Sequence, residues 1–381
     1  MAVAGGGEPV LKRHTTTSVE KDVRRTLRGA EDEIQALWDL AGGYMDDGRY
    51  ADAVLVLQQL SARRPTDHVA MLACGTCYRR LGLLEPARAE FERAVRTTPE
   101  SAEAHYSLGR VYDLQGRRDE AIAEHERAIE LMPDDPEPYY RLGVTLSRGG
   151  DFEAAESSFR KAVEVDDRCA KAYTNLGYAL DRLGRTRDAI LAFKSAIEID
   201  PENAERHLNL GAIYGERGML SDAITELQRA VEIEPESAEA HFNLGTALLG
   251  AEEEEAAQDA LERAVRLDPK NADAHYRLGV VKARRGLFSS AVTSFQRVLA
   301  LEGETPNVCY QMGAALAAMD RLKDAERYLK KAAAHDPEDR RVHYQLGLVM
   351  DRLGRDVDAA DAYRRADRKA RRGDLPGKDR H

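Results

Sequence analysis

The chain has 381 residues, 56 basic against 67 acidic, for a formal net charge of −11; 43% is hydrophobic and 6% aromatic. Length alone suggests two or three ordinary domains. The acidic balance argues against a general nucleic-acid binder, which must neutralise phosphates. The four cysteines are too few to staple a chain of this size, and no window approaches a membrane-spanning apolar run.

In chain order, residues 1–16 read as a disordered polar segment carrying Gly5-Gly6-Gly7. They lack an apolar stretch and a cleavage site, so no secretory signal is expected. Arg outnumbers Lys and Ala is abundant, as in GC-rich bacterial genomes; the expected setting is a bacterial cytoplasm. Thr15, Thr16, Thr17 and Ser18 follow Lys12 and Arg13, a candidate phosphorylation cluster. Residues 17–33 read as a capping helix: Thr17 and Glu20 have capping-box spacing, and Val19, Val23 and Leu27 share a face.

From Ile34 the chain divides without insertion into ten 34-residue repeats ending at Gly373. Position 8 is Gly in nine repeats and position 20 is Ala in all ten. Position 27 is Ala in eight, with Leu60 and Val298 the exceptions, and position 32 is Pro in seven. Each repeat reads as two helices parted near position 15, usually at a Gly that accepts the left-handed conformation. Proline near the end stops the second helix. Small residues at positions 8, 20 and 27 let two helix axes approach, and a hairpin this small must stack on neighbours to bury a core. The fold class is therefore all-α, an α-solenoid. Beyond it, residues 374–381 read as a disordered basic tail; Arg364 to His381 holds eight basic and three acidic residues, net +5. That tail is a solubilising end or a docking element for an acidic surface.

The columns resemble the tetratricopeptide repeat, W-x2-L-G-x2-Y, then A-x3-F, then P. Repeat 3 carries His105, Leu108-Gly109 and Tyr112, then Ala121, His125, Ala128 and Pro133; repeat 2 carries Tyr78, Ala87, Phe91, Ala94 and Pro99. Departures include Asp167 and Gly303 for the proline, Glu252 for the turn glycine and Lys282 for the packing Tyr. The resemblance covers about nine tenths of the chain. It implies a right-handed superhelix whose first helices line a concave groove, and a scaffold that holds an extended peptide or a partner helix.

Helical periodicity separates two faces of each first helix. Positions 4, 7, 8 and 11 form the packing stripe; positions 2, 6, 9 and 13, with 5 at the edge, form the opposite one. Position 6 supplies Asn175, Asn209 and Asn243 in consecutive repeats, flanked by Arg141 and Arg277. An amide both donates and accepts, so such a ladder suits a peptide backbone whatever its side chains; equally, Asn bridges within its own repeat. The two arginines suit carboxylates at either end of a bound segment. Position 5 is aromatic in seven repeats: Trp38, Tyr106, Tyr140, Phe242, Tyr276, Tyr310 and Tyr344. These rings serve either as contact anchors or as seals between repeats. The residue set of chaperone-tail-binding family members is incomplete, because Leu208, Ala212 and Asp273 stand at its positions.

His105, His207, His241, His275 and His343 share position 4 and read as packing rather than as metal ligands. Cys74 and Cys77 form a C-x-x-C on a helix and read as core. Glu252 to Glu255 reads as a solvated turn, and Arg372-Gly373-Asp374 as a coincidental adhesion tripeptide. No nucleophile, phosphate-loop or cofactor motif occurs in usable context, so neither catalysis nor a cofactor or metal is expected. Two alternatives to peptide binding stand beside it: assembly through the repeat ends, and RNA binding by the helical array. The oligomeric state is open.

Overall fold

The structure, a computed structural model, describes residues 30–367. The N-terminal segment up to residue 29, including the phosphorylation cluster and most of the expected capping helix, and the tail from residue 368 lie outside the described residues. Among the described residues every regular element is an α-helix. The chain divides after Ile199 into two compact units.

The first unit holds repeats 1–5 as α1 (Ala30–Asp46), α2 (Tyr50–Arg63), α3 (His68–Arg80), α4 (Leu84–Thr97), α5 (Ala102–Gln115), α6 (Arg118–Leu131), α7 (Pro136–Arg148), α8 (Phe152–Val165), α9 (Ala170–Arg182) and α10 (Thr186–Ile199). The second holds repeats 6–10 as α11 (Ala204–Glu216), α12 (Leu220–Ile233), α13 (Ala238–Gly250), α14 (Glu254–Leu267), α15 (Ala272–Arg284), α16 (Phe288–Glu302), α17 (Pro306–Ala318), α18 (Leu322–His335), α19 (Arg340–Arg352) and α20 (Asp356–Asp367). Odd-numbered helices are the first of each repeat and even-numbered ones the second. Within a unit each second helix packs on its own first helix and on the first helix of the next repeat. First helices also touch the first helix of the next repeat, so each unit presents them side by side on one face.

Local chemistry sets the boundaries. The turn glycines take positive φ, as at Gly116 (72°), while repeats 7 and 9 force Glu252 (63°) and Asp320 (59°) into the same left-handed conformation. First helices begin at position 34 of the preceding repeat, where Asp67, Ser101, Asp135, Asn203, Ser237, Asn271, Thr305 and Asp339 accept hydrogen bonds from the first-turn N–H groups. Cys169 occupies that position before α9 and makes no such bond. α8 stops at Val165 without a proline at Asp167; Asp166 accepts from Arg168 N at 3.0 Å and turns the chain instead.

The core explains the invariant columns. A Cβ at position 8 would collide with the side chain at position 24: 2.7 Å from Phe91 at Gly75, 2.8 Å from His125 at Gly109, 2.5 Å from Phe295 at Gly279. Only glycine lets the two helices meet over those rings. The position-20 alanines, such as Ala53, Ala121 and Ala291, are fully buried. Where the packing Tyr is replaced, Lys282 Nζ lies 3.0 Å from Glu262 of the previous repeat. Tyr112 directs its hydroxyl to the equivalent Glu92 at 3.3 Å, so the lysine occupies a site already supplied with an acceptor.

Candidate binding face

The face formed by the first helices carries the residues singled out above, and each unit shows them in a distinct state. In the first unit, Asn175 is half-buried and donates from Nδ2 to the Lys171 carbonyl one turn earlier, at 2.9 Å. Its amide is thereby used within its own helix. In the second unit Asn209 and Asn243 are also half-buried, but among the described residues their amides have no hydrogen-bond partner.

The position-5 rings are half-buried except Tyr344, which is exposed. Their inner sides tilt against the position-24 ring of the same repeat: Tyr106 on His125 at 6.2 Å, Tyr140 on Phe159 at 6.1 Å, Tyr276 on Phe295 at 6.0 Å and Tyr344 on Tyr363 at 5.8 Å. They close the core from the open face. Cations approach the rings: Arg110 over Tyr106 at 5.5 Å, Arg141 and Lys171 over Tyr140 at 5.3 and 4.6 Å, Arg277 over Phe242 at 5.6 Å, Arg341 over Tyr310 at 5.3 Å.

Around Tyr140 these contacts form a charged cluster drawn from three repeats. Glu137 accepts from the Tyr106 hydroxyl at 3.1 Å and from Arg141 Nε at 3.0 Å, and it pairs with Lys171. Burial alone would raise the Glu137 pKa, but Lys171, Arg141 and Tyr106 hold it below the ordinary value. Burial also opposes the charge on Arg141, yet Tyr106 and Glu137 outweigh it and raise its pKa. Arg79 has the opposite balance: burial, then repulsion from Arg110 and Arg80, lowers its pKa.

Arg79, Arg80, Arg110 and Lys171 were not singled out from the sequence. They and Arg141 run diagonally, at positions 12 and 13, 9, 6 and 2 of repeats 2 to 5. Reading columns at intervals of 34 hides them; the interval from Arg79 to Arg110 and from Arg110 to Arg141 is 31.

Other chemistry-bearing residues are absorbed by the fold. Cys74 and Cys77 are buried free thiols, pushed by burial to about 12 and about 11, so neither is a ready thiolate. His105, His207, His241, His275 and His343 all contact the carbonyl of the preceding repeat's proline through Nε2. His105 and His207 add a carboxylate at Nδ1, Glu124 at 2.6 Å and Glu226 at 2.7 Å. Fully buried His125 meets Asp113 at 3.0 Å, and the Thr145 hydroxyl donates to the same carboxylate at 2.6 Å. The hydroxyl bonds the carboxylate rather than the imidazole, so His125 is not placed to take its proton. Among the described residues no group of three or more His, Cys, Asp or Glu is arranged to hold a metal. No described helix is long and apolar enough to cross a membrane.

Residues 169–379 match the family model described as Cilia and flagella-associated protein 70 C-terminal domain. Residues 44–111 and 134–202 match models of the tetratricopeptide repeat, and residues 114–150 a further model of the same repeat. No curated protein matches the chain. Similar solved structures include YrrB, titled a tetratricopeptide-repeat protein with an unusual peptide-binding site: 23% identity over 48% of this chain and 95% of that one, TM-score 0.43. PilF of Pseudomonas aeruginosa is 19% identical over 54% of this chain and 94% of its own, TM-score 0.48. A tetratricopeptide-repeat protein of Parabacteroides merdae is 17% identical over 66% and 99%, TM-score 0.47.

Proposed function

The chain belongs to the tetratricopeptide-repeat family, its larger part matching the Cilia and flagella-associated protein 70 C-terminal domain model, and we propose that it is a non-enzymatic scaffold whose first-helix faces hold extended peptide segments of a partner protein. The observation that carries this reading is the pair Asn209 and Asn243. They are equivalent amides in adjacent repeats, half-buried on that face with their hydrogen-bonding capacity unspent. Such amides reach solvent and stay open to a ligand, and a peptide backbone supplies both a donor and an acceptor for them. Asn175 donates one of its two amide N–H groups to the Lys171 carbonyl and keeps the other, with its carbonyl oxygen, for a ligand. Arg141 and Arg277 add charge beside Tyr140 and Phe242, while Tyr106, Tyr276, Tyr310 and Tyr344 supply rigid contact area on the same faces. The acting compartment in this reading is the bacterial cytoplasm.

The test replaces Asn209 and Asn243 together by Ala, with Asn175→Ala as the comparison, and measures thermal melting and capture of crosslinked partners from the native cell. The double variant should melt as the parent does and lose most capture; Asn175→Ala should lose less. Unchanged capture by the double variant, or its unfolding, would count against the amides as ligands.

A further inference from the structure

Within repeats 2–5 the first-helix face gathers cations. Positions 2, 6, 9, 12 and 13 of these first helices carry seven basic residues, among them Arg79, Arg80, Arg110, Arg141 and Lys171, against the four acidic residues Glu103, Asp113, Glu137 and Asp181. Of the diagonal cations, Arg141 and Lys171 share Glu137, while the Asp113 carboxylate is engaged by His125 and Thr145. The second helices of these repeats carry more acidic than basic residues, and many of their charges pair with one another, as Arg88 does with Glu85 and Glu92. Among the described residues, Arg79, Arg80 and Arg110 have no ion-pair partner. A concentrated positive stripe thus sits in a chain whose net charge is −11.

We infer that this diagonal is a seat for an acidic, extended segment of a partner protein, a stretch of Asp and Glu laid across α3, α5, α7 and α9. The inference rests on the interaction-face reading above and assigns its substrate class. Charge complementarity carries it: carboxylates supply what the unpaired arginines lack, and bidentate pairing suits the guanidinium fork. Burial, and after it the repulsion of Arg110 and Arg80, depresses the Arg79 pKa, and an anion bound between Arg79 and Arg110 relieves that repulsion.

Geometry separates a peptide from RNA as the occupant. Single-stranded RNA needs open aromatic faces for its bases. Here Tyr106 is held between Arg110 and His125, and Tyr140 between its cations and Phe159; the one exposed ring of the stripe, Tyr178, stands alone, where a run of stacked bases needs several. Packed helix axes lie roughly 8–10 Å apart, so four first helices span about 30 Å. An extended chain covers that with about nine residues at about 3.3 Å each.

The test pans a library of random nonapeptides on the immobilised full chain, with the variant carrying Arg110→Gln and Lys171→Gln as counter-target. Enriched peptides should be rich in Asp and Glu. They should bind the variant at least about tenfold more weakly, and lose affinity as salt rises through the range that screens surface charge. Arg80→Gln, at an exposed residue, should weaken binding in the same direction and gives an independent answer if the double variant unfolds. Enrichment of peptides without acidic excess, indifferent to both variants, overturns the acidic assignment and leaves the interaction-face reading standing. No enrichment overturns both. Tighter binding of an oligouridylate than of the enriched peptides overturns the assignment in favour of RNA.

Discussion

Gly143 and Phe159 lie so close that a Cβ on the glycine would stand 2.6 Å from Phe159 Cε1. The same relation holds between positions 8 and 24 in nine repeats, with Phe, His, Leu or Tyr as the partner. This contact sets the distance between the two helices of a repeat, and with it the side-by-side placement of the first helices.

Gly143→Ala should therefore destabilise the first unit. Phe159 is fully buried and has no free volume to retreat into, so overpacking should cost about 1–3 kcal/mol. Gly150→Ala acts through backbone strain at φ 84° and should add a comparable penalty without touching Phe159. Urea denaturation followed by far-ultraviolet circular dichroism measures both; a Gly143→Ala protein as stable as the parent would show that the two helices can part freely.

Cys169 takes the capping position before α9 without a side-chain bond to the helix, where Ser101 and Ser237 accept from the third N–H in their repeats. Cys169→Ser should stabilise the protein by about 1 kcal/mol, and Ser101→Ala should cost about the same. Equal stability of parent and Cys169→Ser would show that the sulfur site is already as good a cap.

His105 links stability to pH. Its hydrogen bond to Glu124 raises its pKa above the ordinary value; burial opposes, and the Pro99 carbonyl adds to the rise. Both ring nitrogens face acceptors, an arrangement that only the imidazolium satisfies. A raised folded-state pKa contributes stability that is fully present below the unfolded value of about 6.5 and is lost as pH rises through the folded value. His275, which meets Pro269 but no carboxylate, is lowered by burial first, so its contribution has the opposite sign and is lost as acid protonates it. Melting of parent and His105→Gln should differ most at mildly acidic pH and converge in alkaline buffer. A difference independent of pH would contradict the charged assignment.

The architecture was legible because its determinants repeat by residue identity. Gly at position 8, Ala at 20 and Pro at 32 each answer one steric demand that a single side chain meets. The capping column at position 34 was harder to see, since Asp, Ser, Asn and Thr all satisfy the same N–H groups and no letter repeats. The basic diagonal was invisible for a different reason. Arg110 and Arg141, in adjacent first helices, both act on Tyr106 and are separated by 31 residues rather than 34. The ladder of three amides was legible as a column, but not the fact that Asn175 donates one amide N–H to Lys171 while Asn209 and Asn243 make no such bond among the described residues.

In the proposed function, partners are held on the first-helix face. Placing a photo-crosslinking phenylalanine analogue at Ser107, on that face of α5, and separately at Glu126, exposed on α6, tests it directly. On irradiation in cells the Ser107 protein should form a discrete crosslinked product with a partner protein, and the Glu126 protein should not. A product from Glu126 alone would contradict the account and move the binding surface to the second helices.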